Sequence, residues 1–365
     1  MIKMIASDLD GTLLLDSRTV SARNRMALTR AAASGIEVVV ASGRVLTSFP
    51  ESVFRIPGIR YAITSNGAAI YRIPSDADTS SGADASSGAD TSFGADTSSG
   101  TDASSCADAS SDVSSAPTRI LPGFQPDKRN NLYKKSYSDF QSILARNPQN
   151  YSDSFRGRLL SSKRIYHRPL SEKAVLDLLE LTAAYPSDLF PLSYEVFING
   201  VAYACTAYVN EPGNFGASSA YVDYVRTTRV MKDDIRGFIF QHRKELDGLD
   251  LVVGDDALCE QLRNKIHSTL RNIYTTSSVS NRIENSSPEA GKGAALRFLS
   301  SQLKIRKEDI VAFGDADNDI DLLTSAGTGI AMENGTERCR KSADYVAGRY
   351  DSDAVAEVLQ SRFAI

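Results

Sequence analysis

Short apolar runs alternate with amphipathic segments near the start of the chain. An apolar run that ends at Asp8 predicts a buried strand, and the segment from Ser21 to Ala33 predicts a helix with Ser21 at its N-cap and Gly35 just beyond its end. Two further apolar runs, Glu37–Ala41 and Tyr61–Thr64, predict strands. Strands and helices in alternation predict a parallel sheet that is covered on both faces.

The same alternation returns near the end of the chain, where Lys292–Leu303 predicts a helix with one apolar face and Asp309–Phe313 predicts a short strand. A block from Lys163 to Asn281 separates the two ends and has enough elements for a small α+β domain. Its predicted strands are Lys163–Tyr166 and Tyr194–Ile198, and its predicted helices cover Ala174–Leu179, Ile235–Leu246 and Ala257–Leu270. Because sheet-forming segments of the first domain lie on both sides, we expect this block to be an insertion.

A third kind of sequence occupies residues 75–115, where a hexad repeats with almost no large apolar side chains; Gly88–Phe93, for example, is followed by the similar Gly94–Ser99. Such a composition cannot bury enough surface to offset the entropy of ordering the backbone, so it predicts a disordered, low-complexity insertion. A calcium-binding β-roll is the alternative, because Asp recurs with Gly, but the nonapeptide pattern of such rolls is absent. The expected division is therefore a core in two parts (1–73 and 282–365), a largely disordered insertion (74–162) and an α+β domain (163–281).

Composition and charge restrict the function. The 365 residues include 41 basic and 45 acidic side chains with no block of Lys or Arg, so we expect no nucleic-acid partner. No run approaches ~18 apolar residues, and Asp8 comes too early for a signal peptide, so we expect no membrane partner and a cytoplasmic protein. The four cysteines lie far apart without His at metal spacing, which indicates reduced thiols and neither a zinc site nor a disulfide framework.

Small, polar or acidic residues follow the predicted core strands, and the carboxyl ends of parallel strands meet at one edge of a sheet. Asp8 and Asp10 leave the same face of an extended chain, since they are two residues apart. With Asp315, which follows the late strand, they would form an oxygen-only, negative pocket that suits Mg²⁺. Turn capping is the alternative for any one of these residues, and Asp319, just before a predicted helix, is the clearest case.

A carboxylate beside Mg²⁺ can accept a phosphoryl group as an aspartyl phosphate when cationic groups neutralise the phosphate oxygens. Lys292, which opens a predicted helix, would supply a positive charge. The hydroxyl of Ser42 and the backbone N–H of Gly43 can bond the phosphate. A surface lysine is the alternative for Lys292, since lysines are mostly exposed.

Four motifs, in their order along the chain, resemble those of the haloacid dehalogenase superfamily, and within it the Cof-type phosphatases with a large class IIB cap. They are Asp8–Leu14, Ala41–Arg44, Gly291–Leu296 and Gly314–Asp319. The resemblance implies an α/β fold, with a Rossmann-like parallel-sheet core and an inserted α+β cap.

The resemblance also implies where the long insertion is placed. In the family, a strand like Ala69–Arg72 turns back within a few residues into one like Arg164–Leu170. We therefore expect the low-complexity insertion at the tip of this hairpin, where the cost of loop closure grows only slowly with length. Part of the insertion, Leu132–Leu144, is expected to form a helix.

Carried over to this sequence, the resemblance implies that Asp8 is the nucleophile and that Asp10 is first a general acid and then a general base. The residues implied to hold the phosphoryl group or substrate are Thr12, Ser42, Gly43, Arg44, Lys292 and Asn318. Those implied to hold Mg²⁺ are Asp8, Asp10 through its backbone carbonyl, Asp315 and Asp319. Tyr166, His167 and Tyr194 are candidate cap contacts, or else ordinary sheet and core residues.

The expected function is a Mg²⁺-dependent phosphatase of small phosphorylated metabolites, such as sugar phosphates. A phosphomutase of the same superfamily is the alternative among enzymes. An interaction protein that is recruited through the hexad tract, with its enzyme fold idle, is the alternative outside them.

Overall fold

The computed structural model describes residues 1–75, 132–146, 151–185 and 192–365, so the hexad tract from residue 76 onward lies outside the described residues. The strands are β1 (Met4–Ser7), β2 (Glu37–Ala41), β3 (Ile59–Thr64), β4 (Ala69–Arg72), β5 (Lys163–His167), β6 (Leu192–Ile198), β7 (Val201–Cys205), β8 (Arg229–Lys232), β9 (Gly248–Val253), β10 (Tyr274–Thr276), β11 (Arg282–Ser286), β12 (Ile310–Gly314), β13 (Thr328–Met332) and β14 (Tyr345–Ala347).

The helices of the described residues are α1 (Ala22–Ala33), α2 (Glu51–Phe54), α3 (Leu132–Arg146), α4 (Asp153–Leu160), α5 (Glu172–Leu181), α6 (Thr206–Asn210), α7 (Ser219–Thr228), α8 (Ile235–His242), α9 (Asp256–Thr269), α10 (Lys292–Gln302), α11 (Ile320–Ser325), α12 (Glu337–Ser342) and α13 (Ala354–Phe363). Short 3₁₀ turns at Leu46–Ser48 and Ser65–Gly67 lie near the site described below. None of the helices in the described ranges is long and apolar enough to cross a membrane.

The core is an eight-stranded sheet in the order β14-β13-β12-β1-β2-β3-β4-β5. The strands from β14 to β3 are parallel, and β4 and β5 add to the edge in antiparallel fashion. Alternate side chains of β1 reach opposite faces: Ile5 packs with the buried face of α1, whereas Met4 and Ala6 pack with that of α10. The predicted parallel sheet with helices on both faces is confirmed.

Helix α1 begins where its sequence indicates. The Ser21 side chain accepts a hydrogen bond from the backbone N–H of Asn24 and so caps the first turn. Gly35, just beyond the end, has a φ of +83°, a left-handed conformation that glycine adopts without a steric cost. The helix therefore has both end signals that the sequence predicts.

The cap contains a six-stranded sheet in the order β10-β11-β9-β6-β7-β8. Its membership corrects two boundaries expected from the sequence. The strand at Lys163–His167, expected to open the inserted domain, pairs with β4 in the core sheet. The strand at Arg282–Ser286, expected to start the second part of the core, pairs with β9 and β10 in the cap sheet. Local residue pattern predicts a strand, but its partner depends on contacts distant in sequence, which the pattern does not contain.

The long insertion leaves the core sheet between β4 and β5, which are antiparallel neighbours, as expected for a hairpin tip. The expected helix is present as α3, two residues longer than predicted at its end. Phe140 and Ile143 of α3 are buried, and the helix contacts α7, β7 and β8 of the cap as well as the core turn at Leu46–Ser48. The described part of the insertion therefore packs against both parts of the protein.

Candidate active site

The polar ends of the core strands meet in one cavity of about 250 Å³ between the core and the cap. Loops that follow β1, β2 and β12 supply its core side, as the carboxyl-edge rule for parallel sheets predicts. The sequence-predicted residues that line it are Asp8, Asp10, Ser42, Gly43, Arg44, Asp315 and Asn318. The other three, Thr12, Lys292 and Asp319, bond to members of this group.

Asp8, Asp315 and Asp319 form a cluster in which one carboxylate oxygen of each lies within 4.8 Å of the others. Burial and the Asp319 carboxylate raise the pKa of Asp8 well above its usual range, although Lys292 opposes this. Burial, followed by Asp319, raises the pKa of Asp315 to about 7. A hard cation with oxygen ligands would offset this repulsion, so these residues fit the Mg²⁺ that the sequence resemblance implies.

Lys292 lies inside the carboxylate cluster, and the exposed alternative for it is wrong: only 1% of the residue is accessible. Its Nζ donates hydrogen bonds to Asp8 Oδ1 at 2.7 Å and to Asp319 Oδ1 at 2.6 Å. Burial disfavours the ammonium ion, but Asp319 and Asp8 outweigh burial and raise the pKa of Lys292. The lysine is therefore held as a cation beside Asp8.

Asp319 does not cap the helix that follows it. Helix α11 begins at Ile320, and no side-chain hydrogen bond from Asp319 caps it. Instead, Asp319 Oδ2 accepts hydrogen bonds from the backbone N–H groups of Asp315 and Ala316, both at 3.0 Å. The side chain thus fixes the loop after β12 and offers its other oxygen to Lys292.

The turn after Asp8 is built to approach Asp315 closely. Gly11 has a φ of +76°, and a Cβ there would lie 2.5 Å from Asp315 Oδ2. The next residue, Thr12, donates its hydroxyl hydrogen to Asp315 Oδ1 at 3.0 Å. Glycine at this position therefore serves both the backbone conformation and the space that the carboxylate needs.

Asp10 is not part of the three-carboxylate cluster, because its side chain pairs with Arg44. The guanidinium donates from Nε to Asp10 Oδ2 at 2.7 Å and from Nη2 to Oδ1 at 2.5 Å. Arg44 is buried, donates from Nη1 to the carbonyl oxygens of Ser17 and Ser48, and lies over the ring of Tyr224 from the cap. The pair places Asp10 at the cavity, with half of its side chain exposed.

The cap side of the cavity was missed by sequence reasoning. It is lined by Tyr221, Tyr224, Arg229, Asp250, Ser278, Arg282 and Glu284. Arg229 and Arg282 both pair with Glu195, which is fully buried on β6. A charged residue within the apolar run Leu192–Ile198 is the one signal that the sequence offered, and it does not say which distant residues would face it.

The three candidate cap contacts do not line this cavity. The Tyr166 ring stacks with Phe298, with 4.7 Å between centroids. His167 Nε2 lies 2.7 Å from an Asp247 carboxylate oxygen. The Tyr194 hydroxyl bonds the Thr182 hydroxyl inside the cap. All three have sheet or core roles.

These features define an α/β enzyme with a capped, oxygen-lined site: a parallel sheet covered on both faces, an acidic cluster at its carboxyl edge, and a second sheet across the cavity. A family model described as haloacid dehalogenase-like hydrolase matches residues 5–82 and 146–359. The chain belongs to this family of hydrolases.

Similar proteins support the same assignment over almost the whole chain. Phosphatase YwpJ of Bacillus subtilis is 27% identical over 369 aligned positions, which cover 98% of this chain and 99% of that protein. A solved haloacid dehalogenase-like hydrolase from B. subtilis superposes with a TM-score of 0.63 at 22% identity, covering 99% of this chain and 100% of that one. A subclass IIB sugar phosphatase superposes with a TM-score of 0.62 at 15% identity, covering 100% of both chains. The two structural likenesses concern the fold.

Proposed function

We propose that the protein is a Mg²⁺-dependent phosphatase that hydrolyses phosphate monoesters of small metabolites, such as sugar phosphates, through an aspartyl phosphate on Asp8. The observation that carries the proposal is Lys292 Nζ, which bonds both Asp8 and Asp319 within a buried carboxylate cluster. A fixed cation beside a carboxylate at a strand end is what phosphoryl transfer to that carboxylate requires. The similarity to Phosphatase YwpJ supports the reaction class.

In this proposal Asp8, Asp315, Asp319 and the Asp10 carbonyl would hold Mg²⁺, which would neutralise charge on the phosphate oxygens. An Asp8 carboxylate oxygen attacks phosphorus, and the bond from phosphorus to the ester oxygen breaks. Asp10 gives its proton to that oxygen, so the leaving group departs as an alcohol. Asp10, now a carboxylate, takes a proton from water as the water oxygen attacks the phosphorus of the aspartyl phosphate. The acyl phosphate bond then breaks and frees inorganic phosphate and Asp8.

Arg44 sets a condition on this sequence of steps. In the structure both carboxylate oxygens of Asp10 accept hydrogen bonds from Arg44, so neither oxygen is placed to donate a proton to a substrate. Asp10 therefore leaves Arg44 before it acts as an acid, and a substrate phosphate oxygen is a suitable replacement partner for the guanidinium. Ser42, Gly43 and Lys292 hold the remaining phosphate oxygens, while Thr12 holds Asp315 and Asn318 contacts the substrate.

The size of the cavity favours a small substrate. Its volume of about 250 Å³ lies just below the range of ordinary ligand sites, which is roughly 300–1,000 Å³. The proposed location is a reducing compartment such as the cytoplasm, and Cys205, Cys259 and Cys339, which lie in the described ranges, are buried free thiols.

The test is phosphate release from an aryl phosphate and a panel of sugar phosphates and nucleotides, with and without Mg²⁺. Release that needs Mg²⁺, is lost in Asp8→Asn and persists in Glu260→Gln, an exposed change on α9, is the expected result. Undiminished release by Asp8→Asn would refute the proposed nucleophile. Turnover only with an activating bisphosphate would instead favour a phosphomutase, and recruitment of a partner through the hexad tract without any turnover would favour an interaction protein.

A further inference from the structure

Asn66 joins the core to the cap at the edge of the cavity. Its Oδ1 accepts a hydrogen bond from Asn318 Nδ2 at 3.0 Å, and its Nδ2 donates one to Glu284 Oε2 at 3.0 Å. Asn318 follows core strand β12, whereas Glu284 lies on cap strand β11. Each of the three residues is only 5% exposed, so water cannot readily replace a lost partner. One amide therefore bonds both parts of the protein.

The backbone around Asn66 also supports the predicted phosphate-binding turn. The N–H of Asn66 donates to the Ser42 carbonyl oxygen at 3.2 Å, and the N–H of Ser65 donates to that of Arg44 at 3.0 Å. A Cβ at Gly43 would lie 3.1 Å from Asn66 Oδ1, so the side-chain amide lies directly against this turn. Any displacement of Asn66 is therefore transmitted to Ser42 and Gly43.

The Ser65–Gly67 turn has three consecutive residues at positive φ. Ser65 and Asn66 have φ values of +50° and +51°, in the left-handed region that side chains other than those of Asn and Asp rarely enter. Gly67, with a φ of +87°, lies so close to Gly291 that a Cβ would be 2.0 Å from the Gly291 carbonyl oxygen. The turn thus contacts the segment that leads into Lys292 as well, and such backbone persists only where the surroundings fix it.

We propose that Asn66 is a positioning residue through which the cap sets the phosphate-binding turn: Glu284 holds the Asn66 amide, and the amide orients Ser42, Gly43 and Asn318. The inference rests on the proposed function, because those three residues are among the ones proposed to hold the substrate. Asn318 lines the cavity, and its Nδ2 is bonded to Asn66. Its Oδ1 has no partner among the described residues and is therefore available to accept a hydrogen bond from a substrate. The turn is then correctly placed only while β11 lies against the core, which joins enclosure of the substrate to catalysis.

Variants at the two ends of the Asn66 amide test the coupling. Glu284→Ala removes the acceptor on the cap. Glu284→Gln retains an oxygen that can accept from Asn66, and its new amide group can bond the Ser278 hydroxyl, which is the other partner of Glu284. Asn66→Gly removes the amide but permits the left-handed backbone. Glu260→Ala, an exposed change on α9, is the matched control within the cap.

With an aryl phosphate and Mg²⁺, Glu284→Ala is expected to lower kcat/KM by about 10- to 100-fold, mainly through kcat, and Glu284→Gln to stay within about threefold of the unmodified protein. The double variant Asn66→Gly with Glu284→Ala is expected to lose no more activity than Asn66→Gly alone, since Glu284 acts through Asn66. Losses that multiply, or equal losses in the Ala and Gln variants, would overturn the inference because Glu284 would then act independently of the amide.

Hydrogen exchange gives a readout that needs no turnover. Peptides that span residues 42–44 are expected to exchange faster in Glu284→Ala than in Glu284→Gln, with far-UV circular dichroism confirming that both variants are folded. Equal exchange in the two variants would overturn the coupling even if no substrate were hydrolysed. Failure of the unmodified protein to release phosphate from any substrate would refute the proposed function. The hydrogen-exchange comparison would then still test whether Glu284 positions the turn at residues 42–44.

Discussion

Replacing Glu195 with glutamine removes the counter-charge of two buried arginines in the cap. Glu195 accepts hydrogen bonds from Arg229 Nε and Nη2, both at 3.0 Å, and from Arg282 Nη1 at 2.8 Å. Burial alone would raise the pKa of Glu195, but the two guanidinium groups lower it to about 2. Asp250 lies 3.6 Å from Arg282, yet burial and Glu284 raise its pKa well above its usual range. Glu195 is therefore the carboxylate that carries the counter-charge.

The expected loss of stability follows from two independent considerations. A fall in the pKa of Glu195 from 4.5 to about 2 corresponds to about 3 kcal/mol, since one pKa unit is worth about 1.4 kcal/mol. Removing one partner of a buried ion pair typically costs about 3–5 kcal/mol, because the other charge stays buried. Glu195→Gln is therefore expected to lower the free energy of unfolding by about 3–5 kcal/mol at pH 7.

The effect has a defined dependence on pH. The pKa of Glu195 is lower in the folded protein than its ordinary value of 4.5, so its stabilisation is fully present above that value and is lost as the pH falls through about 2. The difference in stability between the unmodified protein and Glu195→Gln is thus expected to be constant in neutral solution and to shrink between these two values.

Urea unfolding followed by far-UV circular dichroism measures this difference, and the chain has no tryptophan to provide a fluorescence signal. Glu260→Gln on the exposed face of α9 is the control and is expected to change the free energy of unfolding by less than about 0.5 kcal/mol. A loss below about 1 kcal/mol for Glu195→Gln at pH 7, or a difference that does not shrink in acid, would refute the assignment of the counter-charge to Glu195.

Three further predictions concern the catalytic edge. Gly11→Ala is expected to lower Mg²⁺-dependent phosphate release at least about tenfold, because its Cβ would collide with Asp315. The control is Gly35→Ala, which is also at positive φ but has open space around it and is expected to leave release unchanged. Equal losses in the two variants would rule out the collision as the cause. Lys292→Met is expected to lower kcat at least about 100-fold, since the ammonium group that bonds Asp8 is then lost, and near-normal turnover would contradict this. Removing divalent cations with EDTA is expected to stop phosphate release and to lower the unfolding temperature, and adding Mg²⁺ is expected to restore both. If Mg²⁺ raises the unfolding temperature of Asp315→Asn as much as that of the unmodified protein, Asp315 is excluded as a ligand.

Those parts of the fold that depend on local pattern could be predicted from the sequence. The Ser21 cap, the strand Glu37–Ala41 and the alternation around them use short-range signals, and the structure confirms them. The acidic strand ends are also local features, and parallel topology brings them together. The expected domain boundaries at residues 163 and 282 were wrong, because the partners of the strands Lys163–His167 and Arg282–Ser286 are distant in sequence.

The cap side of the site could not be predicted for a related reason. Arg229, Arg282 and Glu195 are far apart in sequence, on β8, β11 and β6, and they meet only once β7 and β9 join these strands into one sheet. Asn66 lies in the turn that follows β3, but its role depends on Glu284, a residue of the cap sheet. Residues whose function lies in bonds between the core and the cap have no local pattern that reveals them.

The most direct test of the account is to identify the residue that becomes phosphorylated. The protein is incubated with a hydrolysable phosphate ester and Mg²⁺, quenched in acid during turnover, and its peptides are analysed by mass spectrometry with and without hydroxylamine. We expect a phosphoryl group on Asp8 that hydroxylamine removes and that is missing in Asp8→Asn. Phosphorylation of a different residue, or steady turnover with no phosphorylated peptide at any time, would contradict it.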